Sequence, residues 1–295
     1  MNSLFWQYTL AGVSQGSMYA VVAIGFVIIY KTTGIINFAQ GEFVMLGGLL
    51  SVVFYNFMPL LPAIVLAALL VAVLSGLIEY LFLRRFRNIQ VIKMVLITIG
   101  ISILLREVAL HTWGEKVFSL PYFTGDQESA VKIFNAYISP QKVLMISFAL
   151  AAISILIIFF NKTRTGRAMR ACAANVTAAR LCGIPAGYML TVCFIISAFL
   201  AALAGSFMAP LSILTYDCGA ALSIKAFAAA ALSGLDNIAG AVAGALFLGI
   251  IEAYSIIWLP SSYTDIISLL VLIIILIIKP QGVFTGKALQ YLKEY

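Results

Sequence analysis

TRTGRAMRACAANVTAARLCGIP, residues 163 to 185, is the one long polar and basic segment in a chain otherwise made of hydrophobic runs. Its neighbours, residues 140 to 160 and 187 to 210, show what those runs are. A bilayer core of about 30 Å takes about 20 apolar residues as helix, because every backbone N–H and C=O must be satisfied within the segment. The same measure gives nine runs: 9 to 30, 38 to 57, 60 to 83, 91 to 111, 140 to 160, 187 to 210, 219 to 233, 239 to 258 and 262 to 279, the seventh being short. Composition agrees, since 63% hydrophobic against 10% charged residues and a mean hydropathy of +1.09 exclude a water-soluble globule. The expected fold class is an all-α integral membrane protein, a polytopic bundle of about nine segments with interrupted helices near 34–41 and 219–240. Residues 1–295 form one expected transmembrane domain, with an external connection at 112–139 and a cytoplasmic segment at 161–186.

Prolines punctuate this division: Pro59, Pro62, Pro121, Pro140, Pro185, Pro260 and Pro280 fall at or between run ends, and only Pro210 touches a helical run. Charge orients it. Arg84, Arg85, Arg87 and Lys93 fill one connection, Lys162, Arg164, Arg167, Arg170 and Arg180 another, and Lys279, Lys287 and Lys293 the tail. With nine crossings all three regions share a face, and Lys and Arg accumulate in the cytoplasm. The opposite connections balance Lys116, Lys132 and Lys142 against Glu115, Asp126 and Glu128. The amino terminus is therefore expected outside and the carboxyl terminus inside. This rule accounts for the net charge of +7, so no nucleic-acid partner is called for. The first run lacks a basic leader and a small-residue cleavage pattern, and reads as a retained helix. Cys172, Cys182, Cys193 and Cys218 show no paired spacing and His111 is the one histidine, which argues against a metal site or a disulfide framework.

Within 163 to 185, Gly166 and Gly183 bracket a helix-forming stretch in which Ala168, Ala171, Ala174, Ala178 and Ala179 give a smooth face of small residues. Such a face admits close approach of another helix or a protein groove. Arg167, Arg170 and Arg180 would surround it with cations suited to carboxylates on a partner. The plain alternative is a loop whose charges only hold topology.

The chain resembles the permeases of bacterial ABC importers for branched-chain amino acids, specifically the H-type subunit. The resemblance covers nearly the whole chain and rests on TTGIINFAQGEFVMLGG at 32 to 48, TRTGRAMRACAANVTAARLCGI at 163 to 184, KAFAAAALSGLDNIAGAVAGALFLGIIE at 225 to 252, and KPQGVF at 279 to 284. It implies that 163 to 184 is a coupling region seated in a cleft of an ATPase subunit, through Thr165, Gly166, Ala168, Arg170, Ala171, Asn175, Ala179, Gly183 and Ile184. It also implies a heterodimer with a related M-type permease, two cytoplasmic ATPases that carry ATP and Mg, and an external solute-binding protein docking near 112 to 139. The location implied is the bacterial inner membrane.

A repeat lies within the membrane runs: Gly34, Asn37 and Ala39 recur with the same spacing as Gly234, Asn237 and Ala239, each after a hydrophobic run and before a glycine-rich one. Both turns fall at the cytoplasmic face in the expected topology. Interrupted helices at corresponding places point to a transporter's path, because half-helix ends offer backbone groups to a zwitterionic solute. Chance matching in Gly- and Ala-rich sequence is the alternative. Gly41, Gly47, Gly48, Gly240, Gly244 and Gly249 read as close helix packing. Gln15, Gln40, Glu42, Arg106, Glu107, Lys225 and Glu252 lie within spans and should avoid lipid, with Arg106 and Glu107 able to reach the interface. The candidates for the path are Asn37, Gln40, Glu42, Lys225, Asn237 and Glu252.

No phosphate-binding loop is present, since GVFTGKA at 282 to 288 has the wrong spacing and lacks the hydroxyl residue. No nucleophile, base and orienter cluster as in an enzyme. The expectation is a permease without catalytic residues, metal or cofactor of its own, moving branched-chain amino acids. Urea or another small amide is the alternative cargo, and a stand-alone secondary transporter the alternative mechanism.

Overall fold

The computed structural model describes residues 2–86, 91–125, 129–133, 136–235, 237–260, 263–279 and 282. Arg87, Asp126, Glu128, Pro280, Lys287 and Lys293 lie outside the described residues, as does most of the 279–284 block. Eleven α-helices follow in order among the described residues: α1 (Asn2–Thr33), α2 (Gln40–Tyr55), α3 (Leu60–Ile78), α4 (Val91–Trp113), α5 (Pro140–Lys162), α6 (Arg164–Ala174), α7 (Val176–Leu181), α8 (Ala186–Met208), α9 (Cys218–Leu232), α10 (Ile238–Ser255) and α11 (Thr264–Ile278). Helix α3 continues through a wider π turn at Glu79–Leu83 and a 3-10 turn at Arg84–Phe86.

Five stretches, Leu4–Thr33, Leu60–Leu83, Pro140–Lys162, Ala186–Met208 and Ile238–Ser255, are long and apolar enough to cross a membrane, while Gln40–Tyr55, Cys218–Leu232 and Thr264–Ile278 are apolar but shorter. The expected run at 38 to 57 emerges as one of these shorter apolar helices. Helix α2 has only 16 residues and starts inside the bundle. The short seventh run does fold as a short helix, the 15-residue α9. Pro210 falls just past the end of α8, where no intrahelical bond is lost.

The centre is the antiparallel pair α1 and α10. Phe5 O accepts from Tyr254 OH at 3.2 Å at one end, and Ile28 lies by Ile238 at the other. The two backbones come close because Gly12 and Gly16 face Ala245 and Gly249: a Cβ at either α1 glycine would stand 2.7 Å from a Cα of α10, at Ile250 or Leu246. Lipid tails are as apolar as the side chains, so backbone approach of this kind is what holds membrane helices together. Helices α8 and α2 pack beside α1 around one apolar core that includes Tyr19, Phe26, Phe43 and Met45.

The two ends of the bundle differ. At the end holding the start of α1, the connection between α4 and α5 carries an antiparallel hairpin, β1 (Val131–Ile133) and β2 (Ala136–Ile138), with Lys132 opposite Tyr137. It covers the end of α8, through Phe118 N donating to Leu214 O at 3.0 Å and the reciprocal bond of the same length. Helices α6 and α7 lie at the other end, beside the last turns of α1 and α5 and the start of α10. Most of the described cations gather at this end.

Candidate functional site

The first break in the chain, residues 34 to 39, is built from its own sequence. Gly34 takes φ +71°, a left-handed conformation that suits glycine, and its N–H bonds Tyr30 O at 2.7 Å to close α1. Three residues on, Asn37 Oδ1 accepts from Ala39 N at 3.2 Å and starts α2. The second copy repeats this chemistry: Gly234 has φ +79° and Asn237 Oδ1 accepts from Ala239 N at 3.1 Å. The repeat is thus a repeated local hinge, and Leu235 at φ +63° extends the second one.

Depth separates the copies. The Gln40 amide exchanges bonds with Ser197, its Nε2 donating to the carbonyl at 3.2 Å and its Oε1 accepting from Oγ at 2.9 Å; Ser197 lies near the midpoint of the 23-residue α8. The first hinge therefore re-enters the bundle and α2 begins at mid-depth, not at the basic face as the sequence led us to expect. Thr98 of α4 holds the re-entrant backbone, donating to Ile36 O and accepting from Phe38 N, both at 3.3 Å. Asn37 and Glu42 are both buried. Glu42 Oε1 accepts from Ser102 Oγ at 2.9 Å, while Glu42 Oε2 and Asn37 Nδ2 have no hydrogen-bond partner among the described residues. One unpaired acceptor and one unpaired donor thus sit at the buried start of a half-length helix, whose N-terminal end is electropositive.

Lys225 and Glu252 belong to a different cluster. Lys225 Nζ lies 3.1 Å from Glu252 Oε1 and 2.7 Å from Asp265 Oδ1. Tyr19 OH donates to Glu252 Oε2 at 2.6 Å and accepts from Gln15 Nε2 at 3.0 Å, and Ser268 Oγ also donates to Glu252. Four helices, α1, α9, α10 and α11, meet at this clasp. Of the six path candidates, the structure brings Asn37, Gln40 and Glu42 together, places Lys225 and Glu252 in the clasp, and leaves Asn237 at the basic end. Tyr19, Ser102, Ser197 and Asp265 escaped the sequence reading, because a lone hydroxyl or carboxyl in an apolar run carries no spacing signal. Gly12 and Gly16 did carry one, the small-xxx-small spacing.

The basic segment forms two short helices, α6 and α7. Thr163 Oγ1 caps α6 by accepting from Gly166 N at 2.9 Å, and Asn175 Oδ1 caps α7 by accepting from Ala178 N at 2.9 Å. Gly183, at φ +78°, ends α7, with Ile184 N bonding Ala179 O at 3.0 Å. The expected smooth alanine face is divided: Ala179 is buried, Ala168 and Ala171 pack half-buried on the core, and Ala174 and Ala178 are exposed. Gly166 is buried against its own chain, where a Cβ would collide with Phe159 O and Phe160 Cα. Thr165 is half-buried and Asn175 exposed. The outward surface includes Arg164, Arg167, Arg180 and Leu181, the last 86% exposed, an apolar tip that no spacing in the sequence announces. Arg170 turns aside to donate to Asn161 Oδ1 at 3.2 Å.

A polytopic helical bundle with polar groups gathered at a buried helix break has the architecture of a membrane transport protein. Residues 8–276 match the family described as branched-chain amino acid transport system / permease component, and the chain belongs to it. It is 32% identical over 296 residues to the high-affinity branched-chain amino acid transport system permease protein LivH of Salmonella typhimurium, and 33% identical over 296 residues to LivH of Escherichia coli strain K12. It is 29% identical over 294 residues to the permease protein BraD of Pseudomonas aeruginosa. Each match covers 95% of both chains.

Proposed function

We propose that this chain is the permease subunit of an ATP-driven importer that brings branched-chain amino acids into the cell. It works as a heterodimer with a related M-type permease, with two cytoplasmic ATPases that bind ATP and Mg, and with an external solute-binding protein. The chain itself binds no nucleotide. Its basic end faces the cytoplasm by the positive-inside rule, so the amino terminus is outside. The exposed arginines and Leu181 on α6 and α7 meet the ATPase there.

The observation that supports this reading most directly is the pair of unpaired groups at the start of α2. An α-amino acid presents a carboxylate, which the Asn37 amide and the electropositive helix end suit, and an ammonium, which Glu42 suits. An apolar side chain then passes along the alanine- and glycine-rich walls of α2 and α9. The path runs through the first hinge, and the clasp at Lys225 and Glu252 holds the wall behind it.

Reconstitution in liposomes tests the reading. Leucine uptake should need this chain, the second permease, the ATPases, ATP and the binding protein together. Uptake by this chain alone under an ion gradient would overturn the importer reading. For orientation, exposed Cys182 should react with an impermeant thiol reagent only after the membrane is opened, and labelling in intact cells would reverse the assignment.

A further inference from the structure

A cavity of about 230 Å³ opens at the basic end where the last turns of α1 and α5 meet α6 and the start of α10. Its inner wall is apolar, with Ile28 and Met169 both buried, and its mouth carries Lys31, Arg170 and Asn161, all exposed. Arg170 Nη1 donates to Asn161 Oδ1 at 3.2 Å, both residues lining the cavity, and its other N–H groups remain available. Ile238, the first residue of the 18-residue α10, also lines the cavity, so the electropositive end of that helix adds to the two cations. Among the described residues no carboxylate lines it, and the sequence contains no Asp or Glu between Glu128 and Asp217. Asp236, next to the cavity in sequence, lies outside the described residues.

Two cations, a helix amino end and an apolar floor at the ends of the long apolar helices α1 and α5 form a recognition surface for a phosphate group. The geometry points to a phosphate-binding pocket at this place, filled by the phosphodiester of an anionic phospholipid whose acyl chain follows Ile157 and Phe160, or by a free phosphate. The bound phosphate bridges Lys31 of α1 and Arg170 of α6. It thereby fastens the basic helical pair to the α1 and α10 core, beside the second hinge. This assignment is independent of the cargo carried.

Native mass spectrometry of the full chain, released from mixed micelles of phosphatidylglycerol and phosphatidylcholine, tests it. Wild type should retain one phosphatidylglycerol in preference to phosphatidylcholine, and Lys31→Gln with Arg170→Gln should weaken that retention by about ten-fold or more. Arg167→Gln, on the same helix but away from the cavity, should leave it unchanged. Displacement of the lipid by inorganic phosphate, or retention of inorganic phosphate alone, would assign the pocket to a soluble phosphate. Equal retention by wild type and the double variant, or no preference for either phosphate source, would overturn the assignment.

Discussion

The two hinges at 34–39 and 234–239 have the same glycine, the same asparagine cap and the same helix start, yet one is sunk in the bundle and the other stands at its basic end. The carboxylates that follow them diverge in the same way. Glu42, after the first hinge, keeps an unpaired oxygen, whereas Glu252, on the helix after the second, is bonded by Tyr19, Ser268 and Lys225. A fully bonded buried charge holds helices together; a half-bonded one is free to meet a solute. Local sequence set the bend of each hinge, and the neighbouring helices decided what the bend is for.

The largest expected effect lies in the clasp. Glu252→Leu leaves Lys225, which also donates to Tyr19 OH at 3.3 Å, with the 63%-exposed Asp265 as its remaining carboxylate among the described residues, and should destabilise the protein by about 3 kcal/mol, read as an earlier midpoint in denaturant titration of the solubilised chain. An unchanged midpoint would mean that the clasp is not structural. Next, Ala39→Leu should be destabilising by about 1–3 kcal/mol, because Ala39 is buried among packed helices, while Ala239→Leu at an exposed site should shift stability by about 0.5 kcal/mol or less. Similar effects at both positions would erase the difference in depth.

Gly34→Ala and Gly234→Ala should each be destabilising by about 1–2 kcal/mol, and by similar amounts, since both positions require a left-handed backbone. A large inequality would show that the hinges are not equivalent locally. The smallest effect on stability is expected for Glu42→Gln, which preserves shape and the bond from Ser102 and should stay within about 0.5 kcal/mol. That variant should nevertheless lose leucine uptake in the assembled complex while ATP hydrolysis continues. Normal uptake would remove Glu42 from the path and leave the two carboxylates alike.

Much of the fold was legible because membrane helices obey a length rule and a charge rule that act residue by residue. The runs between Pro59 and Leu83 and between Pro140 and Phe160 emerge as α3 and α5 nearly as read, and Asn175 and Gly183 punctuate the basic segment where a cap and a stop were needed. The site was less legible. Gln40 and Glu42 stood out as polar residues in apolar runs, but their partners Ser197 and Ser102 lie far along the chain. Gly166 looked like a surface for a partner and proved to be a contact with Phe159 and Phe160 of the preceding helix. Arg170 looked like part of the same rim and instead turns to Asn161 over the cavity.

The sequence by itself determined that this is a helical membrane protein, where several of its helices begin and end, which end is basic, and that two hinges share one local design. These follow from backbone satisfaction in lipid, from charge, and from the φ that glycine tolerates, all of which act within a few residues. Only the tertiary structure decided that α2 starts at mid-depth, that Lys225, Glu252 and Asp265 form one clasp, and that Lys31 and Arg170 line one cavity. Those outcomes depend on which backbones approach closely enough to pack, as Gly12 and Gly16 do against α10, and residues so distant in sequence are matched by shape and hydrogen bonding without any spacing to announce them.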